Sequence, residues 1–208
     1  MKKIRILNWG LIPYEIAVAR QKRLVRDVIA DGADTLIFCE HPRTITLGRT
    51  FTPESLLTPR EELVRLGFVV APSDRGGDVT LHAPGQLVLY PIINLKRAGI
   101  ELKEYLRKLE EVAIDFLRGF GIVATGDDNR RGVWVGARKI ASIGIGVSRW
   151  VTYHGMAVNV SNDLLDFQVM KPCGLDVRMT SLKAEWGHAP DMADIYRRMG
   201  KSFLRIYG

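Results

Sequence analysis

Two side chains in this sequence are suited to covalent chemistry: Cys173, set between a proline and a glycine in "KPCGLDVRMTSL", and Lys139, at the head of an alternating apolar run in "GARKIASIG". A thiol is nucleophilic as its thiolate, and a cation or helix terminus that lowers its pKa from about 8.5 toward neutrality makes it so. Pro172 fixes the chain before Cys173 and Gly174 lets it turn sharply afterwards, a loop-like composition. The alternative is the small buried hydrophobe that most free cysteines are. If Ile140, Ser142 and Gly144 face one side of a strand, then Lys139, Ala141 and Ile143 face the other, and Lys139 enters a partly desolvated layer. The alternative there is an edge lysine that guards a sheet against pairing with another chain.

A third candidate is the glycine-marked stretch "DRGGDVTLHAPGQ". Paired glycines let a ligand come close to the backbone and expose N–H donors, and Arg75 beside them could hold an anionic or carbonyl group. A plain hairpin would use the same residues. The stretch matches neither the P-loop nor the dinucleotide fingerprint, so a nucleotide site is not indicated. The "CEH" sequence puts Cys39 and His41 on one strand face, but there is no C-x-x-C or H-x-x-x-H spacing, and no metal is expected. His154, in "TYHGMA", fits either a hydrogen-bonded core histidine or a ligand contact.

The elements that must position these residues follow from periodicity. Apolar residues among Arg and Lys predict an amphipathic helix from Pro13 to about Ala30, ended by "DG" before a buried strand "TLIFC". "LTPREELVRLG" predicts a short helix with Thr58 as N-cap, Glu61 completing a capping box and Gly67 as its stop, followed by a strand "FVVA". "VTLHAPGQLVLYPIINL" predicts strand, turn, strand. Leu102, Tyr105, Leu109, Val112, Phe116 and their neighbours define a long helix ended by glycines at 119 and 121. Residues 132–160 alternate as a glycine-rich β-meander with turns at "GA" and near "SRW", and Ile195, Tyr196, Met199, Phe203 and Ile206 mark one face of a C-terminal helix.

A chain of 208 residues with 47% hydrophobic and 25% charged residues suits one α+β domain over 1–208 and indicates neither disorder nor a disulfide scaffold. The start lacks an unbroken apolar segment and no later stretch has transmembrane length, so a cytoplasmic protein with two free thiols and no membrane partner is expected. The net charge of +7 favours acidic partners. Because the basic residues are scattered singly or in pairs, no nucleic-acid partner is expected.

Taken in order, "HPRTITLGR", "DRGGDVTLHAPGQLVLYPI", "GVWV", "RKIASIGIGVSRWVTYHGMAVNV" and "PCGL" resemble the lipoyl(octanoyl) transferase family, over roughly Pro13 to Leu182. The chain departs at Leu81 and Ala83, where the family usually reads T-Y-H-G-P-G-Q, and at Arg43, where proline is common. The resemblance implies a fold of the biotin/lipoate ligase type, a mixed, largely antiparallel sheet flanked by helices. It implies transfer of an octanoyl or lipoyl group from acyl carrier protein to a specific lysine of lipoyl domains through a cysteine acyl-thioester, the first step of endogenous protein lipoylation. Carried over by position, Cys173 resembles the nucleophile and Lys139 the lysine that lowers its pKa. The segments Arg75, Gly76, Gly77, Asp78, Val79, Thr80, Leu81 and His82, then Ser142, Ile143 and Gly144, and finally Gly155, Met156 and Ala157 resemble the substrate-binding segments. Leu81 and Met156 would bear on pocket depth, and N–H groups of Gly76, Gly77 or the Cys173 loop on the oxyanion. The implied donor is octanoyl-acyl carrier protein. The implied acceptors are lipoyl domains of 2-oxoacid dehydrogenase E2 subunits and the glycine cleavage H protein. No cofactor or metal is implied, and the protein is expected to be a monomer. An ATP-dependent lipoate or biotin ligase is the alternative, against which "PCGL" and the missing phosphate loop count.

Overall fold

The computed structural model describes residues 4–127, 130–171, 177–188 and 191–207. The chain opens with β1 (Arg5–Leu11), α1 (Tyr14–Ile29) and β2 (Thr35–Glu40), and β1 pairs parallel with β2. The strand before the helix is not legible in the sequence, because as an edge strand with mostly exposed residues it lacks a clean apolar alternation. β2 carries the unbroken run "TLIFC" because it is buried on both faces.

The main sheet has the order β1-β2-β6-β10-β9-β8-β7, with β6 (Gln86–Ile92), β7 (Thr125–Gly126), β8 (Val133–Val135), β9 (Arg138–Ser148) and β10 (Val151–Asn159). All its pairings after the first are antiparallel. The β8–β9 turn falls at Gly136 and the β9–β10 turn at Arg149 and Trp150, both with positive φ, as a tight hairpin of that twist requires. A smaller sheet, ordered β4-β3-β5, comprises β3 (Thr44–Leu47), β4 (Val69–Pro72) and β5 (Val79–His82). The two strands of "VTLHAPGQLVLYPI" are therefore not a hairpin, since β5 closes the small sheet while β6 lies at the centre of the large one. Gly85, at φ 83°, carries the chain between them, and a Cβ there would stand 2.8 Å from Asn162 N.

Helices cover the large sheet. α4 (Leu102–Arg118) and α6 (Met192–Tyr207) lie on one face, where Leu109, Val112, Phe116, Ile195, Met199 and Phe203 pack with Leu36, Leu87, Leu89 and Met156. Full burial of Ile195, Met199 and Phe203 contributes about 2 kcal/mol each. α1 lies on the other face against Ile37, Val88, Tyr90 and Ala157. A third core, with Ile45, Leu63, Phe68, Leu81, Phe167 and Met170, fills the small sheet. α2 (Arg60–Arg65) starts after Pro59 without a side-chain cap, so the expected Thr58–Glu61 capping box does not form; Pro59, preset at its φ, begins the turn unaided. Two further short helices are α3 (Leu95–Ala98) and α5 (Leu182–Trp186), each capped by a side chain, Asn94 and Ser181 respectively. Among the described residues no helix is long and apolar enough to cross a membrane.

Candidate active site

The β9–β10 register sets Ser142 opposite Ala157, Ile143 opposite Met156 and Gly144 opposite Gly155. Two of the segments singled out from sequence are thus one patch of paired strand. The Arg75 loop folds over this patch and encloses a slim cavity of about 40 Å3. Arg75, Gly77, Asp78, Val79, Thr80, His82 and all six residues of the paired patch line it, joined by His154, for which the sequence left a ligand contact open, and by Tyr14, Val88 and Tyr90, which sequence reasoning did not place there. Two expected residues are not on the wall. Leu81 is fully buried in the core of the small sheet, because strand alternation turns it away from Thr80 and His82. Gly76 is turned toward β9, where its N–H donates to Ile145 O at 2.8 Å, so that N–H is not available to an oxyanion.

The glycines make this closeness feasible. A Cβ on Gly144 would lie 2.7 Å from Gly76 O, and one on Gly155 would lie 2.2 Å from Leu89 O. Arg75 is a buckle more than an anion receptor. It is 7% exposed, its Nη2 donates to Thr46 O and Asp78 O at 2.7 Å each, its Nε donates to Thr46 Oγ1 at 3.1 Å, and its Nη1 donates to Gly76 O at 3.1 Å. Arg43, another departure from the family pattern, stacks on Phe68 at 3.9 Å and pairs with Asp166, which ties the small sheet to the segment after β10.

The rings of Tyr14, His82, Tyr90 and His154 line part of the cavity, and His41 packs against the first three without lining it. His41 Nδ1–H donates to Ile12 O at 2.6 Å, so its Nε2 accepts from Tyr90 OH at 2.7 Å. Burial pushes the His41 pKa down to about 4 and the Tyr90 hydroxyl well above its ordinary value. His41 contacts Cys39 Sγ at 3.7 Å, and Cys39 is buried and free, its thiol pushed up by burial and by Glu40. Among the described residues no group of three or more potential ligands could hold a metal. Tyr14 stacks near His82 and His154 and hydrogen-bonds Ser73 at 2.7 Å.

His154 sits inside β10 with φ 55°, a left-handed conformation that costs a non-glycine residue about 1–2 kcal/mol. Its backbone N–H donates to Gln21 Oε1 and its Nε2–H to Asp74 Oδ1, each at 2.7 Å. Burial lowers the His154 pKa against the opposing pull of Asp74. Burial also raises the Asp74 carboxyl, but the hydrogen bond and charge of His154, with Lys22 at 3.6 Å, outweigh it and hold that group below its usual range.

Lys139 is 2% exposed, with Nζ 5.4 Å from the centre of the Trp134 ring. An edge lysine would stand in water, so that alternative is set aside. The simple alternation also fails, because a bulge between Val133 and Trp134 leaves Ile140 and Ala141 buried in the same core. Gly132 makes room for the lysine stem, since a Cβ there would meet Lys139 Cε at 2.6 Å. Lys139 N donates to Arg178 O and Lys139 O accepts from Thr180 N, both at 2.9 Å. This parallel bridge to Met179 fastens the lysine to a segment that begins four residues after Cys173 in the sequence. Cys173 itself lies outside the described residues.

This mixed sheet flanked by helices is a fold the chain shares with solved lipoate and biotin protein ligases. A lipoate-protein ligase A bound with ATP superposes with a TM-score of 0.81 at 16% identity over 98% of this chain and 85% of its own. A putative lipoate protein ligase from T. acidophilum with bound lipoic acid gives 0.79 at 17% over 98% and 86%. The chain belongs to the lipoyl protein ligase A/B catalytic domain family, which it matches over residues 13–204. Its relatives include octanoyltransferases from Chloroflexus aggregans, 44% identical over 100% of this chain and 96% of that one, and from Syntrophobacter fumaroxidans, 42% identical over 100% and 92%.

Proposed function

We propose that this protein is an octanoyltransferase that moves an octanoyl group from the thioester of an acyl carrier protein to a lysine amine of a lipoyl domain, with Cys173 as nucleophile and Lys139 as acid and then base. The observation that carries the reading is the burial of Lys139 on a strand hydrogen-bonded to residues 178–180, close in sequence to Cys173. Burying a charged group without a task is costly. The names of the relatives support the same reaction.

In the first half the Cys173 thiolate attacks the carrier's thioester carbonyl, the C–S bond to the carrier breaks, and the departing sulfur takes a proton from Lys139. The acyl group then rests on Cys173 as a thioester. In the second half the acceptor amine attacks that carbonyl, and Lys139, neutral after the first half, takes the amine proton as the C–N bond forms. Cys173 leaves as thiolate, and the cycle closes without ATP, since a thioester is exchanged for an amide. The apolar residues Val79, Val88, Ile143 and Met156 on the cavity wall suit a saturated chain.

Intact-protein mass spectrometry after mixing with octanoyl-loaded carrier, without acceptor or ATP, tests this. An adduct labile to hydroxylamine is expected on the wild type and not on Cys173→Ala. Absence of any adduct, with modification of a lipoyl domain by octanoate and ATP, would replace the reading by an ATP-dependent ligase.

A further inference from the structure

A continuous chain of buried side-chain amides runs from the cavity wall to the backbone beside Lys139. Gln86 Nε2 donates to Leu81 O at 3.1 Å and to Asn159 Oδ1 at 2.9 Å. Asn159 Nδ2 donates to Thr180 O at 3.0 Å, and Thr180 N donates in turn to Lys139 O at 2.9 Å. Asn162 Nδ2 adds a second donation to Asn159 Oδ1 at 3.2 Å. His82, Gln86, Asn159, Thr180 and Lys139 are each at most 6% exposed.

The polarity of this chain is fixed at both ends by main-chain carbonyls, which only accept. Thr180 O demands the NH2 of Asn159, which leaves Asn159 Oδ1 as acceptor and so demands the NH2 of Gln86. Leu81 O demands the same NH2. Gln86 Oε1 is then an acceptor, and His82 Nδ1, 2.9 Å away, must carry a proton. His82 is thereby held in the Nδ1–H form, the minor tautomer of a free imidazole, and its Nε2 is a lone-pair acceptor with no hydrogen-bond partner among the described residues, on a ring that lines the cavity.

We infer that Asn159 and Gln86 are positioning residues that couple the two parts of the site: one amide chain sets the tautomer of His82 on the cavity wall and fixes the segment that registers Lys139. The inference rests on the acyl-transfer reading for its kinetic consequence, but the tautomer it assigns to His82 does not depend on that reading. Neither residue lines the cavity, and the link from Asn159 to Lys139 runs through the backbone of Thr180, so both act through others.

The test uses two variants of the full-length protein. Asn159→Asp is isosteric, keeps the acceptor for Gln86 and deletes the donor to Thr180. It is expected to lower kcat for transfer from a small octanoyl thioester at least tenfold, with KM little changed, and to alter the shape of the pH–rate profile. Gln86→Ala frees His82, and 15N spectra of the imidazoles are expected to change from the Nδ1–H form to a mixture dominated by Nε2–H. A folded Asn159→Asp protein with wild-type kcat and pH profile would overturn the coupling. So would a Gln86→Ala protein whose His82 stays in the Nδ1–H form, and that variant decides alone if Asn159→Asp does not fold. If the wild type transfers no acyl group, the functional reading fails, and the His82 spectra still decide whether the amide chain does what is assigned to it.

Discussion

His41 is fully buried with both ring nitrogens bonded, and its folded pKa of about 4 lies below the 6.5 of an exposed histidine. The unfolded chain therefore binds more protons as pH falls. The stability His41 contributes is fully present above about pH 6.5 and is lost between there and pH 4, up to about 3 kcal/mol. His82, pushed down by burial and by His41, acts in the same direction. Urea midpoints measured at pH 7 and pH 4.5 are expected to fall across this window, and a His41→Gln variant to fall less; a flat wild-type profile would refute it. Asp74, held below its usual range, loses its contribution only at lower pH, so the two effects separate. Lys139 was legible at this scale, because a charged residue heading an apolar run is conspicuous. Tyr90 was not, since in "LVLYPI" it reads as one more core residue of a buried strand.

At the scale of elements, the site is a meeting of one hairpin and one loop. The Arg75 loop rests on β9 through the missing side chain of Gly144, with Gly76 O at 2.7 Å from where a Cβ would stand. Gly144→Ala must push the loop off the strand. The expected cost is about 1–3 kcal/mol in stability, with a loss of at least tenfold in kcat/KM because the cavity wall moves with the loop. Thermal melts and steady-state kinetics check this, and wild-type values on both would mean that the loop yields freely. Element types were largely readable from periodicity, from α1 to the 132–160 meander and α6. Pairings were less so. β5 and β6 look like a hairpin in sequence, yet each finds a better partner in a different sheet, a long-range decision that no local pattern encodes.

Across the whole molecule the charge of +7 is unevenly placed. The groove between α4 and α6 gathers Arg118, Arg197, Arg198, Lys201 and Arg205 around two carboxylates, Asp115 and Asp194. An acidic carrier would be drawn to such a surface at low salt. Raising ionic strength is expected to raise KM for an octanoylated carrier protein and to leave KM for a small octanoyl thioester unchanged; equal responses would exclude steering. By itself the sequence determined the kinds of elements and the family resemblance, and singled out Cys173 and Lys139 as candidates, because these depend on local periodicity and on ordered motifs. The tertiary structure alone decided which strands share a sheet, that Arg75 is bound up by backbone carbonyls, that Leu81 faces the core, and that His154 and Tyr90 join the cavity wall. Those outcomes depend on burial and on hydrogen-bond partners distant in the chain, which exist only once the layers have packed.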